Sequence, residues 1–546
     1  MKGRTRSVVL VVSLGMASLV PHSQAQAPAS SASPSSAPLR QVAYIKGSNI
    51  EKGDHFGCGG VLDGHAGYGA AISGDGNTMA IGAPHESGGS KGINGNQQDN
   101  SAYGSGAVYV FVRKGTSWVQ QAYIKASNTQ ESAEFGHAVV LSGDGNTMAV
   151  SAFHEASNAK GINGNQADHS IPQAGSVYVF TRRGGTWTQQ AYVKASNTGE
   201  AGTADTFGDG DQFGVSLSLS DDGNMMAVGA LTEDGGSPGI NGNQADNSVN
   251  SAGAVYVFAR TADTWSQQAY VKPVNPGGGD MFGYTVSLSA DGSTLAVGSY
   301  DEDGSPRTIN GTPDDKRNGA GAIYVFIRTG TEWTQQAYIH ATNNEAGDSL
   351  GVHVALSDDG NTLLAGSLDE DCRATGVNPP GCDDDRELDI STGAAYVFVR
   401  NGTTWSQQAY LKASNTGAND WFGSRLALSG DGNTAALGAS LEDGGAQGIN
   451  GRQDDDSANE AGAVYLFARR GGVWSQQAYV KGSNTQAFDE FGGAVALSRD
   501  GRTMVVTAHG EDGGARGVNG NQADNSVDEA GAAYVFEVTA AGAGSL

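Results

Sequence analysis

The stretch FGVSLSLSDDGNMMAVGA, residues 213–230, decides the fold. Its first eight residues alternate apolar and polar side chains, as a half-buried strand does, and DGN at 222–224 predicts a tight turn into a second strand. Farther along, GAVYVF at 253–258 is apolar on both faces, which indicates a central strand. WSQQAYVK at 265–272 predicts a fourth strand. Four short strands per unit are typical of one β-propeller blade, provided that the unit repeats.

The unit recurs seven times, at intervals of about 70 residues. Each copy is marked by the glycine that opens its first strand: Gly67, Gly136, Gly214, Gly283, Gly351, Gly423 and Gly492. The third-strand tyrosines are Tyr109, Tyr178, Tyr256, Tyr324, Tyr396, Tyr465 and Tyr534. Only six copies have a fourth strand, and QVAYIK at 41–46 supplies the missing one ahead of the first copy. We therefore predict an all-β, seven-bladed propeller with four antiparallel strands per blade, closed by the N-terminal strand. A solenoid would instead show atypical capping repeats.

The N-terminus predicts export. Lys2, Arg4 and Arg6 precede an apolar run and small residues, the order of a signal peptide, over residues 1–27. Residues 28–39 are rich in Pro, Ser and Ala and indicate a flexible leader. The propeller is expected over 40–538 and a tail over 539–546. No later segment is apolar enough for a transmembrane span, so we expect a secreted, periplasmic or cell-surface protein, monomeric in solution.

Charge and cysteine content limit the partners. The formal net charge is −26, and removal of the basic signal peptide would make it more negative. Such a chain repels phosphate backbones, so nucleic acid is not an expected partner. Three cysteines in an exported chain of this size do not build the fold. Cys372 and Cys382 are close enough in sequence for a disulfide in one loop, which leaves Cys58 as a free thiol or an intermolecular partner.

The repeated motifs resemble a known family. Phe-Gly opening a strand, Gly-Ala-Pro at 82–84 and Gly-Ala-Val-Tyr-Val-Phe at 106–111 are similar to the FG-GAP repeat. The resemblance implies the propeller of integrin α-subunits and of many bacterial surface or secreted proteins. The first copy departs from the pattern, with Ala66 before its glycine and Phe56-Gly57 displaced ahead, and the fifth copy has Leu350 for phenylalanine.

The calcium loop that often accompanies these repeats does not carry over. The connection between the first two strands is too short and keeps only Asp-Gly, for example at Asp222-Gly223. A hairpin turn explains this pair better than a metal site. The six tryptophans of the fourth strands could form a sugar-binding ring, but their position directly after a turn favours packing between blades. The histidines are scattered, and no nucleophile or zinc motif appears.

The long connection between the second and third strands is the informative segment. Its length is almost constant, and a Gly-Ile-Asn-Gly-Asn-Gln-x-Asp core recurs, which indicates a defined conformation. Alternation of strands places all seven connections on one face, together with most of the negative charge. Intermittent carboxylates in glycine-rich loops suit calcium, which takes six to eight oxygens, whereas solvated carboxylates are the alternative. The candidate calcium ligands are Glu233, Asp234, Asp246, Asp369, Glu370, Asp371, Asp383, Asp384, Asp385, Glu442, Asp443, Asp454, Asp455, Asp456, Glu511, Asp512 and Asp524.

These observations predict a non-enzymatic, extracytoplasmic binding or adhesion module. A protein or glycan ligand is expected at the face of long loops, because function tends to reside on loops held by a rigid scaffold. The alternatives are a structural envelope or matrix protein and, less favoured, a carbohydrate-active hydrolase or lyase. A catalytic carboxylate pair would interrupt the repeat in one or two loops, and only the fifth loop departs strongly.

Overall fold

The computed structural model describes residues 39–58, 69–199, 210–305, 307–382 and 390–538. The signal peptide, all of the leader except residue 39, and the tail lie outside these residues. Within them, 28 strands and no helix are present, so no described segment has the long apolar helix that a membrane span requires. The strands form seven four-stranded sheets.

Each sheet is one blade, and its strands follow the chain order. Blade 1 contains β2 (Ala70–Ile72), β3 (Thr78–Ala83), β4 (Ala107–Lys114) and β5 (Ser117–Ile124). Blade 2 contains β6 (Val139–Leu141), β7 (Thr147–Ala152), β8 (Ser176–Arg183) and β9 (Thr186–Val193). Blade 3 contains β10 (Phe213–Leu219), β11 (Met225–Ala230), β12 (Ala254–Thr261) and β13 (Thr264–Val271). Blade 4 contains β14 (Thr285–Leu288), β15 (Thr294–Ser299), β16 (Ala322–Thr329) and β17 (Glu332–Ile339).

The remaining blades repeat this order except at the ends of the chain. Blade 5 contains β18 (Leu350–Leu356), β19 (Thr362–Ser367), β20 (Ala394–Asn401) and β21 (Thr404–Leu411). Blade 6 contains β22 (Arg425–Leu428), β23 (Thr434–Ala439), β24 (Ala463–Arg470) and β25 (Val473–Val480). Blade 7 contains β26 (Phe491–Leu497), β27 (Thr503–Ala508), β28 (Ala532–Val538) and, as its outer strand, β1 (Leu39–Ile45).

The predicted ring closure is confirmed. β1 pairs antiparallel with β28, with Tyr44 opposite Tyr534 and Leu39 opposite Val538. The same Tyr–Tyr register joins the third and fourth strands of blade 3, where Tyr256 lies opposite Tyr270. The first and last strands of the described chain therefore share one blade, and the ring has no open edge.

The apolar core lies between the blades, in seven clusters that each join two neighbouring sheets. We call each such interface a seam. The fourth-strand tryptophans are at most 4% exposed there, and Trp265 Nε1 donates to Gln190 Oε1 of the preceding blade at 2.9 Å. The packing interpretation of these tryptophans is confirmed.

The two glycines of the repeat motif meet across five of the seven seams, whereas Ser151 and Thr507 face the Phe-Gly glycine in the other two. A Cβ placed on Gly136, the second residue of a Phe-Gly pair, would lie 2.5 Å from the Ala107 carbonyl oxygen of the preceding blade. A Cβ on Gly82, from the Gly-Ala-Pro of that blade, would lie 1.9 Å from the Gly136 carbonyl oxygen. Neither contact leaves room for a side chain, so the glycines permit close approach of the two backbones.

The first copy differs from its sequence alignment. Phe56 and Gly57, rather than Gly67, occupy the Phe-Gly position, since the Phe56 ring lies 5.4 Å from Tyr109, as Phe213 does from Tyr256. Gly57 also donates its N–H to the Gly82 carbonyl oxygen at 2.7 Å. Residues 59–68, which include Gly67, lie outside the described residues. The aromatic contact in the seam thus fixes the position, and the extra residues follow it.

The turns on the face of short turns are uniform. In each blade an aspartate accepts from the turn backbone, as Asp222 does from Asn224 N at 2.9 Å, and the following glycine has a positive φ. The hairpin interpretation of Asp-Gly is confirmed. Partial burial alone would raise the pKa of Asp222, but hydrogen bonds from Ser220 and Asn224 lower it overall. The first strands of neighbouring blades contact each other and are innermost.

A circle of backbone hydrogen bonds joins the turns after these inner strands. Each blade donates one N–H to a carbonyl oxygen of the next, over 2.8–3.2 Å. The donors are Asp75, Gly143, Asp221, Ala290, Asp358, Gly430 and Arg499. Across the same opening, the Arg499 side chain of blade 7 pairs with Asp221 of blade 3 and with Asp358 of blade 5, the latter at 2.8 Å. Arg499 therefore spans the axial opening of this face, where a cavity of about 160 Å³ is lined by the same turns.

Candidate functional site

The opposite face carries the seven connections between second and third strands and the linkers between blades. We call it the long-loop face. Each connection turns back along the outer strand of its own blade, as in blade 3, where Ile240 bridges Val271. Asn241 N donates to the Tyr270 carbonyl oxygen at 2.7 Å, and Asn241 Oδ1 accepts from Tyr270 N at 3.0 Å. The asparagine has a positive φ in all seven loops. The prediction of a defined loop conformation is confirmed, and its Ile-Asn core covers the end of the outer strand.

A buried glutamate anchors the start of each loop. Glu233, only 1% exposed, accepts from Tyr270 OH at 2.7 Å, from Lys272 Nζ at 3.0 Å and from Gly235 N at 2.9 Å. Asn197, from the linker of the preceding blade, donates a further bond at 3.0 Å. Both oxygens are therefore saturated by the chain itself, and the loop, the outer strand and the neighbouring blade are held at one point.

This anchor repeats around the ring. Six blades have a lysine–glutamate pair with nitrogen–oxygen distances of 2.6–3.1 Å and both side chains at most 5% exposed. The pairs are Lys46–Glu511, Lys125–Glu86, Lys194–Glu155, Lys272–Glu233, Lys412–Glu370 and Lys481–Glu442. Burial lowers the pKa of each lysine, while its glutamate opposes the shift. In blade 4, His340 stands where the lysine would be.

An aspartate before the Phe-Gly pair accompanies the anchor in six blades, and sequence reasoning missed it. In blade 7, Asp489 Oδ2 accepts from Gln486 N at 2.7 Å inside the seam. Burial raises the pKa of Asp489 to about 7, and the nearby Glu511 adds to the rise. The others are Asp54, Asp211, Asp280, Asp348 and Asp420, whereas blade 2 has Ala133. The repeated Asp-x-Phe-Gly spacing was the available signal.

The candidate calcium ligands fall into different environments. Glu233, Glu370, Glu442 and Glu511 are the buried anchors. Three aspartates hold the far end of their own loop through a backbone N–H: Asp234 from Ser251, Asp443 from Glu460 and Asp512 from Glu529, at 2.8–2.9 Å. Asp246 and Asp524 accept from the N–H two residues later, at 3.1–3.2 Å, and so form local turns. These side chains chiefly shape the loops.

The remaining candidates lie in the fifth and sixth loops. Asp369 accepts from the hydroxyls of Ser349 and Ser391, each at 2.9 Å. It lines a cavity of about 450 Å³ with Glu345, Asp348 and Asp371. Asp454, Asp455 and Asp456 follow one another in the sixth loop, where Asp454 pairs with Arg452 at 3.2 Å. Asp383, Asp384 and Asp385 lie outside the described residues. No three His, Cys, Asp or Glu side chains in the described part of the chain are arranged to hold a metal ion, and calcium binding stays a prediction.

The fifth loop contains a disulfide between Cys372 and Cys382, whose Cα atoms are 5.4 Å apart. Cys58 is buried near the axis and is not in a disulfide. Thr392, at the end of the same loop, donates to the Glu370 and Cys372 carbonyl oxygens at 2.9 and 3.0 Å. The disulfide closes the part of the loop in which the other blades have their Gly-Ile-Asn core.

The axial opening of the long-loop face gathers histidines that are distant in sequence. The His55 ring lies 5.0 Å from His85 and 6.0 Å from His509. His509 Nε2 lies 3.1 Å from Glu490 Oε2, and His154 Nδ1 lies 3.2 Å from Glu134 Oε1. Burial, reinforced by His509 and His85, lowers the pKa of His55 to about 3. The interpretation of the histidines as scattered was wrong, because their spacing in sequence hides the meeting of blades 7, 1 and 2.

Opposite these histidines, blades 3, 4 and 5 form a buried apolar cluster. Met281 packs with Val215, Leu231, Tyr284 and Val352 from blades 3, 4 and 5. Met281 and His55 hold equivalent positions, directly before Phe-Gly, where the backbone has a positive φ in every blade. The residues there are His55, Glu134, Gln212, Met281, Ser349, Trp421 and Glu490. One backbone geometry therefore carries six residue types, and the opening is chemically asymmetric on a sevenfold scaffold.

Four segments of the chain match the family profile described as FG-GAP repeat: residues 118–180, 265–326, 405–467 and 474–536. Each runs from the tryptophan of one blade to the third strand of the next. The family's repeat unit thus spans a seam and contains the Phe-Gly glycine that lies there. No curated protein sequence matches the chain significantly.

Solved structures are similar to this chain only at low identity and low TM-score. The β-propeller domain of Myceliophteria thermophila Cps50 (Swd1) is 9% identical, with a TM-score of 0.45, over 92% of this chain and 100% of that one. The Pseudomonas aeruginosa periplasmic gluconolactonase PpgL is 14% identical, with a TM-score of 0.43, over 82% and 98%. Kuenenia stuttgartiensis hydrazine synthase is 12% identical, with a TM-score of 0.41, over 81% and 92%. Likeness at this level says nothing about activity.

Proposed function

This chain is an FG-GAP repeat protein, and from that premise we propose that it is a non-enzymatic, extracytoplasmic binding module whose ligand, a protein or glycan, contacts the long-loop face. The observation that carries the proposal is the anchoring of the loops. Glu233 fixes the loop start, Asn241 fixes the loop to the outer strand, and Asp234 fixes the loop end. Loops ordered in advance lose little conformational entropy on binding, which favours affinity.

The contrast between the two faces supports the assignment. The short turns of the opposite face share one hydrogen-bond pattern, whereas the residue before Phe-Gly on the long-loop face differs from blade to blade. Two of the large exposed apolar side chains lie in the loops and linkers of the long-loop face: Tyr103, 75% exposed, and Phe488, 57% exposed. Exposed aromatic side chains are enriched where proteins meet ligands.

A placement outside the cytoplasm agrees with three features. FG-GAP repeats are typical of extracellular proteins, residues 1–27 have the order of a signal peptide, and Cys372–Cys382 is a disulfide of the kind that oxidising compartments permit.

The proposal is tested with a glycan array and a protein array. Each array is probed with this protein, to which a detection label is attached at the C-terminus. β28 ends at Val538, beside the short turns, so this attachment leaves the long-loop face free. The affinity for each ligand is then measured with the Tyr103→Ala and Phe488→Ala variants. The matched control is Val473→Ala, a 68% exposed apolar residue at a short turn. Weakened binding by the first two variants alone supports the proposal. Equal affinity for all three, or no ligand on either array, contradicts it and favours a structural role.

Calcium dependence belongs to the same proposal. The arrays are probed with calcium and with chelator, and the two conditions are compared for every ligand. Because the anchor glutamates are saturated by the chain, exposed aspartates of the loops, such as Asp454 and Asp456, are the oxygens left for an ion. Calcium-dependent binding that Asp456→Asn weakens would assign the ion to the sixth loop.

A further inference from the structure

The blade that closes the ring differs from the others in the contacts of its outer strand. Among the described residues, the tryptophan of one blade donates its Nε1–H to a glutamine of the preceding blade in five seams, at 2.9–3.0 Å. These pairs are Trp187–Gln121, Trp265–Gln190, Trp333–Gln268, Trp405–Gln336 and Trp474–Gln408. The two remaining seams are those on either side of blade 7. A neutral contact that joins the other blades is therefore replaced on both sides of the closing blade.

The sequence of β1 explains both differences. Val42 stands where the other outer strands have this glutamine. Trp118 Nε1 of blade 1, on a buried residue, consequently has no hydrogen-bond partner in the described part of the chain. Arg40 lies opposite Glu537, in the register that pairs tryptophan with arginine in the other blades. Gln477, the counterpart glutamine of blade 6, donates within its own strand instead. Blade 7 thus lacks both the tryptophan and the glutamine.

Ion pairs take the place of these contacts between blades 7 and 1. Glu537 of blade 7 pairs with Arg113 of blade 1, and Arg40 Nη2 lies 3.7 Å from the same carboxylate. Arg113 also donates to Thr503 Oγ1 of blade 7 at 3.3 Å. The side chains of Glu537 and Arg113 are 22% and 18% exposed, so both are in contact with solvent. The outer part of this seam is therefore held by charge.

A second set of ion pairs holds the inner end of blade 7. Arg499, in the turn after the inner strand, pairs across the axis with Asp221 of blade 3 and Asp358 of blade 5. A Cβ on Gly143 would lie 1.6 Å from Asp221 Oδ1, and a Cβ on Gly430 would lie 2.6 Å from Arg499 Cγ, so these two glycines make room for the charged side chains. The residues equivalent to Arg499 in the other four blades are Gly74, Gly143, Ala290 and Gly430. Blade 7 is thereby joined to two blades that are not its neighbours.

The chain does not connect the two outer strands of this blade by a turn. In blades 1–6 a short turn joins the third strand to the fourth, as between β4 and β5, whereas β28 and β1 are the last and first strands of the described chain. Solvent-exposed ion pairs weaken with salt, because the Debye length falls from about 10 Å at about 0.1 M to about 3 Å at about 1 M. The neutral Trp–Gln contacts of the other seams are not screened in this way.

We propose that blade 7 is an ionic latch: the ring opens by separation of β1 from β28 and of blade 7 from blade 1, and the ionic strength of the solution controls this opening. The ion pairs of Glu537 and Arg499 keep the latch closed at low salt. The seams with Trp–Gln contacts stay closed at low and at high salt. The propeller therefore has one defined place of opening, and the opening exposes the backbone edge of β28.

Hydrogen–deuterium exchange of the full chain, measured by mass spectrometry, tests the latch. Deuterium uptake is compared at about 0.1 M and about 1 M sodium chloride. The peptides of β1 and β28 report on the latch, and those of β8 and β9 in blade 2 are the internal reference. We expect uptake in β1 and β28 to become several-fold faster at the higher salt, while uptake in β8 and β9 changes little. An equal change in all blades, or no change in β1 and β28, overturns the proposal.

Three variants separate the ionic contacts from the neutral ones. The double variant Glu537→Gln and Arg499→Ala should exchange rapidly in β1 and β28 at both salts and lose the salt response. Val42→Gln restores an acceptor for Trp118 and should slow uptake in these strands. The matched control is Gln190→Val, which removes the neutral contact between blades 2 and 3 and should speed uptake there equally at both salts. A double variant that keeps the salt response overturns the proposal. If the double variant does not fold, the wild type and Val42→Gln still decide.

Discussion

A single glutamate shows what sequence alone does not distinguish within the acidic loops. Glu233 and Asp234 are adjacent acidic residues and were both predicted to bind calcium, yet the first is buried against Lys272 and the second holds a backbone N–H. The two residues differ in burial. The burial of Glu233 depends on the outer strand, which lies some 40 residues later in the sequence. A usable signal existed in the lysine two residues after six of the seven fourth-strand tyrosines, because a buried strand end carries a lysine only if a carboxylate pairs with it.

At this scale we predict the cost of removing one anchor. Lys412→Met leaves the Glu370 carboxylate buried without its cation and should lower the free energy of unfolding by about 3–5 kcal/mol. Arg452→Met, which breaks the exposed pair with Asp454, is the control and should leave it unchanged. Urea unfolding of the wild type, Lys412→Met and Arg452→Met measures both changes in the free energy of unfolding. Equal unfolding midpoints for Lys412→Met and the wild type would show that the pair does not stabilise the fold.

At the scale of the strand and the loop, repeat periodicity was sufficient for most elements. Alternating residues identified the inner strand, and the apolar GAVYVF run identified the central one. The displaced copy of the outer strand at 41–46 predicted ring closure. Periodicity failed at the first copy, where alignment chose Gly67 and the structure uses Phe56-Gly57. The seam requires an aromatic ring against Tyr109, and a repeat count does not register a contact between distant segments.

The element with the largest expected effect is β1. Deleting residues 28–47 removes Tyr44 and Lys46, leaves Glu511 buried without its cation, and exposes the edge of β28. We expect a sharp fall in melting temperature and aggregation of the shortened protein. Deleting residues 28–38 alone should change neither, because every backbone pair with β28 begins at Leu39. Identical melting curves for both deletions would mean that β1 does not close the ring.

For the whole molecule, sevenfold repetition allows equivalent positions to be compared among the blades. The sequence predicted the fold, the two faces and the side of the long loops, because these follow from strand order. It did not predict the histidine half of the axial opening or the seam carboxyls, because these form only when the ring brings separate blades together. His340 was unremarkable in sequence and becomes informative only beside six lysines in equivalent places.

The seam aspartates add a pH dependence that belongs to the ring as a whole. Burial, with the neighbouring anchor glutamate, raises the pKa of Asp54, Asp211, Asp420 and Asp489 to about 7. In the unfolded chain an aspartate titrates near 3.9. The folded protein thus keeps protons that the unfolded chain releases, so this contribution to stability is complete below about pH 4 and is lost as pH rises to about 7. The histidines have the opposite effect on stability. Because burial lowers the pKa of His55 and His353 to about 3, their contribution to stability is lost as pH falls below about 6.5.

A difference between two proteins isolates the aspartate from the histidines, because both share every other group. Asp489→Asn keeps an oxygen for Gln486 N and cannot ionise. Its unfolding free energy, relative to wild type, should increase from pH 4 to pH 7, approach a gain of about 4 kcal/mol and then level off. Asp454→Asn, on an exposed aspartate, should show no such trend over this range. Urea unfolding at half-unit steps from pH 4 to pH 8 measures both. A difference for Asp489→Asn that stays flat would mean that Asp489 is already ionised in the seam.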